Sequence, residues 1–148
     1  MPVDVATAAL DRLLELTVVL GRDMSGHLAG QGLTESRAHL LFVLHGTGPT
    51  TQRALADALD VTPRTVTGLV DGLEASGHIT REPHPTDRRA TLVTPTPAGA
   101  AAARALAEGR VELARALFAD WRPDDVERLT AGLDAVLSRV QTLVEESS

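Results

Sequence analysis

The sequence predicts a mainly α fold with a small β-hairpin wing, a winged helix-turn-helix set between long N- and C-terminal helices. Three observations carry that expectation. Thr51 and Thr62-Pro63 each open a short helix, with a tight turn at Asp60-Val61 between them. Two strand-like runs, Ile79-Thr80-Arg81-Glu82 and Thr91-Leu92-Val93-Thr94, then flank a polar loop. Long apolar-periodic segments precede and follow this unit.

Taken in order, the first helix runs from Val5 to about Leu28, with a wide apolar stripe through Val5, Ala9, Leu13, Leu16 and Leu20. A stripe that wide suits a helix covered by more than one partner. Ala29-Gly30-Gln31-Gly32 ends it. Thr34 caps a second helix to about His45, whose inner side is Ala38, Leu41 and either Phe42 or Leu44, and Gly46-Thr47-Gly48-Pro49 breaks it. The third helix is Gln52 to Leu59. Asp60 suits the turn that follows, because Asp tolerates the left-handed backbone such turns need.

Thr62 at the N-cap and Pro63 at the first helical position start the fourth helix, and Gly77 fits the position just past its end. The hairpin loop, Pro83 to Ala90, carries Asp87-Arg88-Arg89. Thr96-Pro97 repeats the start signal for an Ala-rich fifth helix to about Asp120, and Trp121-Arg122-Pro123 interrupts it. In the last helix Asp124 and Asp125 favour the first turn. Its apolar residues Val126, Leu129, Leu133, Val136, Val140 and Leu143 recur in steps of three and four. That seam packs lengthwise on another helix, either within the chain or on a second copy.

Composition excludes several classes. At 148 residues with 43% hydrophobic and 23% charged content, the chain reads as one globular domain rather than a disordered one. Without Cys it has no disulfide framework, thiolate zinc site or thiol switch. His27, His39, His45, His78 and His84 include no pair at i, i+3 or i+4, so a helical metal site is not expected, and no cofactor is. No Gly-rich phosphate loop, HExxH or GxSxG is present, so an enzyme is not expected. No apolar run reaches about 18 residues, and acids stud the first helix, so neither a membrane span nor a secretory leader is expected; the expected location is cytoplasmic.

The net charge of −6 speaks against nucleic acid at first sight. Its distribution does not. Residues 34–97 hold six Arg against seven acids, while most of the acid excess lies in the outer helices. All 14 basic residues are Arg, the better side chain for forked contacts to phosphate, although a GC-rich coding bias explains the skew as a whole.

In the fourth helix Val66, Leu69, Val70 and Leu73 form one apolar face, which leaves Arg64, Thr65, Thr67, Gly68 and Asp71 outward. Free N–H groups, one Arg and several Thr at a helix start suit a major groove, the N–H groups taking phosphate and the Thr side chains meeting base edges. An ordinary solvated helix face has the same composition. An Arg at a ribbon tip suits a narrow minor groove, where the potential is most negative. A salt-bridged surface loop is the plainer alternative for that run.

Leu33-Thr34, Leu55-Ala56, Val61-Thr62-Pro63-Arg64-Thr65-Val66-Thr67-Gly68-Leu69-Val70-Asp71, Leu73-Glu74, Gly77, Asp87-Arg88-Arg89 and Thr96-Pro97-Ala98-Gly99 together resemble the MarR family of transcriptional regulators. The resemblance spans nearly the whole chain, 1–148, as a single domain. It implies a DNA-binding lobe at 34–97, with the helix-turn-helix at about 51–76 and the wing at about 79–94. It implies dimerisation helices at 1–33 and 98–148.

The function implied is that of a repressor that binds a pseudo-palindromic site on double-stranded DNA as a homodimer. Its recognition helices would sit in major grooves about 34 Å apart. The resemblance implies base or backbone contacts for Thr62, Arg64, Thr65 and Thr67, a phosphate contact for Arg53, and minor-groove entry for Arg88 or Arg89, Arg89 being favoured, with Asp87 as organiser. It assigns the dimer interface to Leu13, Leu16, Leu20, Val126, Leu129, Leu133, Val136, Val140 and Leu143. Family members often answer to a small aromatic or anionic effector, for which Phe42, Phe118 and Trp121 are the only aromatics here. Four positions depart from the family pattern, among them Pro95, which replaces a usual Leu before the fifth helix and leaves the end of the wing strand open. Gly68 and Gly72 stand where relatives often carry a basic or larger polar residue, and Asp60 replaces a common turn Gly. Gly68, Gly72 and the acidic balance keep open a dimeric winged-helix protein-interaction module with weak or lost DNA binding.

Overall fold

The computed structural model describes residues 1–147. In chain order the elements are α1 (Val3–Gly30), α2 (Glu35–Thr47), β1 (Thr50–Thr51), α3 (Gln52–Leu59), α4 (Pro63–Ala75), β2 (Ile79–Pro83), β3 (Thr91–Pro95), α5 (Pro97–Leu117) and α6 (Pro123–Glu146). This is the expected mainly α winged helix-turn-helix with long terminal helices. The chain divides into two compact units, Met1–Glu108 and Gly109–Ser148.

In the first unit the local start and stop signals act as the sequence predicts. The Thr34, Thr51 and Thr62 hydroxyl oxygens each accept a backbone N–H three residues on, at 3.3, 3.2 and 3.2 Å. Asp60 lies in the left-handed region at φ 53°, where the Val61 N–H returns to the Ala56 carbonyl at 3.1 Å and closes α3. Gly77, at φ 78°, closes α4 the same way: its own N–H bonds Glu74 and the His78 N–H bonds Leu73. A side chain at 77 would strain that turn.

The core of this unit joins Leu40, Leu41 and Leu44 of α2, Leu55 of α3, Val66, Val70 and Leu73 of α4, Ile79 of β2 and Val93 of β3, all at most 1% exposed. The inner side of α2 therefore includes Leu44 and not Phe42, which is 39% exposed, and it adds Leu40. The buried arc spans more than a third of the helix circumference, so neighbours cover α2 on several sides and its pattern is weakly amphipathic. The fully buried set confirms the apolar face of α4, with Leu69 partly covered at its margin.

The sheet has three antiparallel strands in the order β1-β3-β2. β1 is a two-residue strand that the sequence did not suggest, with Thr50 opposite Val93 and Thr51 opposite Leu92. Thr51 thus ends a strand and caps α3 at once. β2 and β3 pair from Ile79 opposite Pro95 to Pro83 opposite Thr91, one residue longer on each strand than expected. α1 buries only Leu28.

In the second unit, α5 stops at Leu117 rather than near Asp120, because the chain turns at Phe118–Trp121 and the Trp121 N–H bonds the Phe118 carbonyl at 3.1 Å. The rings of Phe118 and Trp121 meet edge to face with centroids 5.5 Å apart. α6 buries no residue.

Candidate nucleic-acid interface

The exposed start of the fourth helix is shaped by its first turn. Thr62 accepts the Thr65 N–H, and the Thr62 and Thr65 hydroxyls stand 2.9 Å apart, so one donates to the other. The Thr67 hydroxyl lies 2.9 Å from the Pro63 carbonyl oxygen and 3.2 Å from Gln52 Oε1, with one proton to give to either. Gln52, which sequence reasoning passed over, therefore links the first residue of α3 to the outward face of α4. The three Thr side chains are exposed but hold their hydroxyls in local bonds. They are left to meet a base edge with methyl groups and spare lone pairs.

Arg53 on α3, Arg64 on α4, and Arg88 and Arg89 at the wing tip are exposed, and no carboxylate pairs with any of them among the described residues. A guanidinium in that state keeps its full capacity for a forked contact to phosphate. The structure places these residues on three separate elements of the same lobe.

The wing is tied to α4 by Arg81, another residue absent from the sequence expectation. Its guanidinium bridges Asp71, in a very short contact, and Glu74 at 2.8 Å. Asp71 thus faces outward as expected but is occupied by β2. The Asp71 hydrogen bond holds the Arg81 pKa above its already high ordinary range, against an opposing effect of burial and with Glu74 adding to the rise. Partly exposed, the bridge serves orientation more than stability.

Asp87 organises the tip through the backbone. Its Oδ1 accepts the Arg89 N–H at 3.0 Å, and among the described residues it makes no ion pair with Arg88 or Arg89. Within the same loop the His84 Nδ1 accepts the backbone N–H of Asp87 at 3.0 Å and of Thr86 at 3.2 Å. The signal for His84 was its spacing, two and three residues before the groups it holds, the pattern of a side chain closing a turn.

The two α4 glycines differ. A Cβ on Gly68 would meet nothing, so that position is an open gap in the outward face. A Cβ on Gly72 would run into the Arg37 guanidinium of α2. A cation from α2 therefore lies along the third turn of α4, where the helix has none of its own.

Of the expected interface residues in α1, Leu13 and Leu20 are half-buried and Leu16 is 53% exposed. In α6, Val126 is half-buried while Leu129, Leu133, Val136, Val140 and Leu143 are 36–50% exposed. No three His, Asp or Glu side chains are grouped to hold a metal, and no helix is long and apolar enough to cross a membrane, among the described residues.

Residues 33–91 match the model of the MarR family. A curated relative, the HTH-type transcriptional repressor YetL of Bacillus subtilis (strain 168), is 26% identical over 133 residues, covering 86% of this chain and 78% of YetL. A MarR family regulator from Neisseria meningitidis, NMB1585, is 26% identical with a TM-score of 0.65, covering 95% of this chain and 99% of its own. The S. aureus MepR-DNA complex shares the fold at a TM-score of 0.71 and 24% identity, covering 90% of this chain and 97% of MepR.

Proposed function

We propose that this chain is a member of the MarR family of transcriptional regulators and a sequence-specific DNA-binding repressor, acting as a homodimer on a pseudo-palindromic operator and released by a small-molecule ligand. One observation carries the DNA contact: Arg53, Arg64, Arg88 and Arg89 are exposed and unpaired on the helix-turn-helix and the wing. The capped start of α4 enters the major groove, where Thr62, Arg64, Thr65 and Thr67 face bases and backbone. Arg53 takes a phosphate. Arg89, with Arg88 beside it, enters the minor groove in the shape that Asp87 imposes. Support also comes from YetL, a repressor by name, and from MepR, solved on DNA.

The dimer reading rests on area. An apolar seam exposed along most of α6, with a second on α1, is more than a monomer leaves in water without a partner. A shallow, open cleft lined by Ser25, Leu28, Leu33, Thr34, Glu35 and Ser36 is the place proposed for the ligand. Its lining offers one carboxylate and no cation, which suits a neutral or cationic ligand better than an anion. As a member of a regulator family with no expected reaction site, the chain is read as a non-enzyme of the cytoplasm.

The deciding experiment is a titration of duplexes from the chain's own promoter region across salt. Specific binding, with log K falling steeply against log salt, is the expected result. Failure of every fragment to bind specifically at low salt rejects the reading.

A further inference from the structure

The wing tip must reverse the chain between β2 and β3, and its backbone N–H groups need acceptors. Two are met by the backbone: the Ala90 N–H bonds the Asp87 carbonyl at 3.1 Å and the His84 N–H bonds the Ala90 carbonyl at 3.2 Å. The Arg89 N–H goes to the Asp87 carboxylate. The N–H groups of Thr86 and Asp87 both end on one atom, Nδ1 of His84.

We propose that His84 is a positioning residue of the DNA contact, its neutral imidazole holding the wing tip in binding shape and its protonation releasing it. The inference rests on the reading of the wing as a DNA-contacting element. An imidazole nitrogen accepts a hydrogen bond only when it carries no proton. With two N–H groups aimed at Nδ1, the proton of the neutral ring sits on Nε2. A second proton, on Nδ1, breaks both bonds and sets an N–H against two others. It also draws the Asp87 carboxylate toward the new cation and away from the Arg89 N–H. Both effects disorder the same turn, through a relay of two residues that runs from the ring to the backbone of Arg89.

The surrounding charges are few. On its own hairpin they are Arg81 and Glu82 of β2 and Asp87, Arg88 and Arg89 of the tip, while β3 has none. From α4, which packs on β2, Asp71 and Glu74 face Arg81. Among the described residues no carboxylate is ion-paired with the His84 ring, and the Thr86 hydroxyl stands 3.4 Å from Nδ1.

The test compares His84→Ala and His84→Asn with the unaltered full chain on a promoter duplex that it binds specifically. The Asn side-chain oxygen accepts the same N–H groups and does not titrate. Near neutral pH, His84→Asn is expected to bind within about twofold of the unaltered chain and His84→Ala about tenfold more weakly. On acidification the affinity of the unaltered chain relative to His84→Asn is expected to fall about tenfold, a ratio in which the other four His cancel. A flat ratio overturns the proposal, and so does a rising one, which marks the imidazolium as a phosphate contact. In the free protein, the protection of the Thr86 and Asp87 amides, corrected for the intrinsic exchange rate at each pH, must fall in acid and in His84→Ala but not in His84→Asn; equal protection in all three overturns it as well. The paired variant Arg88→Ala/Arg89→Ala separates the two failures. If it weakens binding while His84→Ala does not, only the His84 proposal falls. If it leaves binding unchanged, the wing reading falls and takes the proposal with it.

Discussion

The carbonyl oxygen of His78 stands where a Cβ on Gly99 would have to go. The residue just past the end of α4 and the first turn of α5 are in direct backbone contact, and the Thr96 hydroxyl spans the same joint. It donates to the Gly77 carbonyl at 2.6 Å and accepts the Gly99 N–H at 3.1 Å. Gly99→Ala must push this joint apart. A loss of about 1–3 kcal/mol is expected, the ordinary cost of overpacking. Urea denaturation at unchanged slope is the measurement, and a stability equal to that of the unaltered chain refutes the contact.

Gly68 gives the opposite outcome. Its Cβ would meet nothing in mid-helix, so Gly68→Ala should stabilise the protein by about 0.5–1 kcal/mol, visible as a raised Tm. Gly68→Arg should add a phosphate contact and steepen the salt dependence of DNA binding by about one per protomer. No change in slope would place position 68 away from the duplex.

Arg64→Ala and Arg89→Ala should each lower the salt slope by about one per protomer. Arg64→Ala should also relax sequence preference at one operator position, whereas Arg53→Ala should weaken all sequences equally. A specificity change from Arg53→Ala would contradict its assignment to phosphate.

Arg81→Met tests the bridge between wing and recognition helix. The pair is partly exposed, so the expected cost in stability is at most about 1 kcal/mol. DNA affinity should fall further than stability does, because the wing loses its angle to α4. The pKa of Arg81 is raised by its partners, so while the two carboxylates are ionised its contribution is whole below the arginine range and is lost only as pH rises through that range. Its share of stability should therefore show no step between about pH 5 and about pH 9. A step there that vanishes in Arg81→Met would contradict this.

Leu133→Glu combined with Val140→Glu places two charges on the exposed seam of α6. Sedimentation should show a monomer, with operator affinity reduced and helical content largely kept. A dimer that survives both substitutions would move the interface elsewhere.

What was legible in the sequence was local. Thr34, Thr51, Thr62 and Asp60 each act within four residues of their own position, so their chemistry sets helix ends whatever the rest of the chain does. The strand at Thr50–Thr51 was not legible, because two residues carry no periodicity and only register with Val93 and Leu92 makes them a strand. The Arg81 bridge reaches back ten residues to Asp71 and seven to Glu74, and the Arg37 guanidinium reaches Gly72 from a different helix. Those pairings exist only once the lobe has packed. His84 lies within local reach of the N–H groups it holds, but an imidazole closes turns less often than Asn or Asp, so its sequence signal is weak. The Arg residues proposed to face DNA stand at a helix start and a ribbon tip, and those two placements are ones that local signals do fix.

The joint at Thr96 also works as the fixed end of a lever. β2 and β3 are five residues each, so the hairpin carries its tip about 17 Å from that end. A slack of about 5° at the joint would swing the tip by about 1.5 Å, beyond the roughly 0.5 Å that a preorganised contact tolerates. A glycine with no room for a methyl group thereby sets how finely the far end of the wing can be aimed.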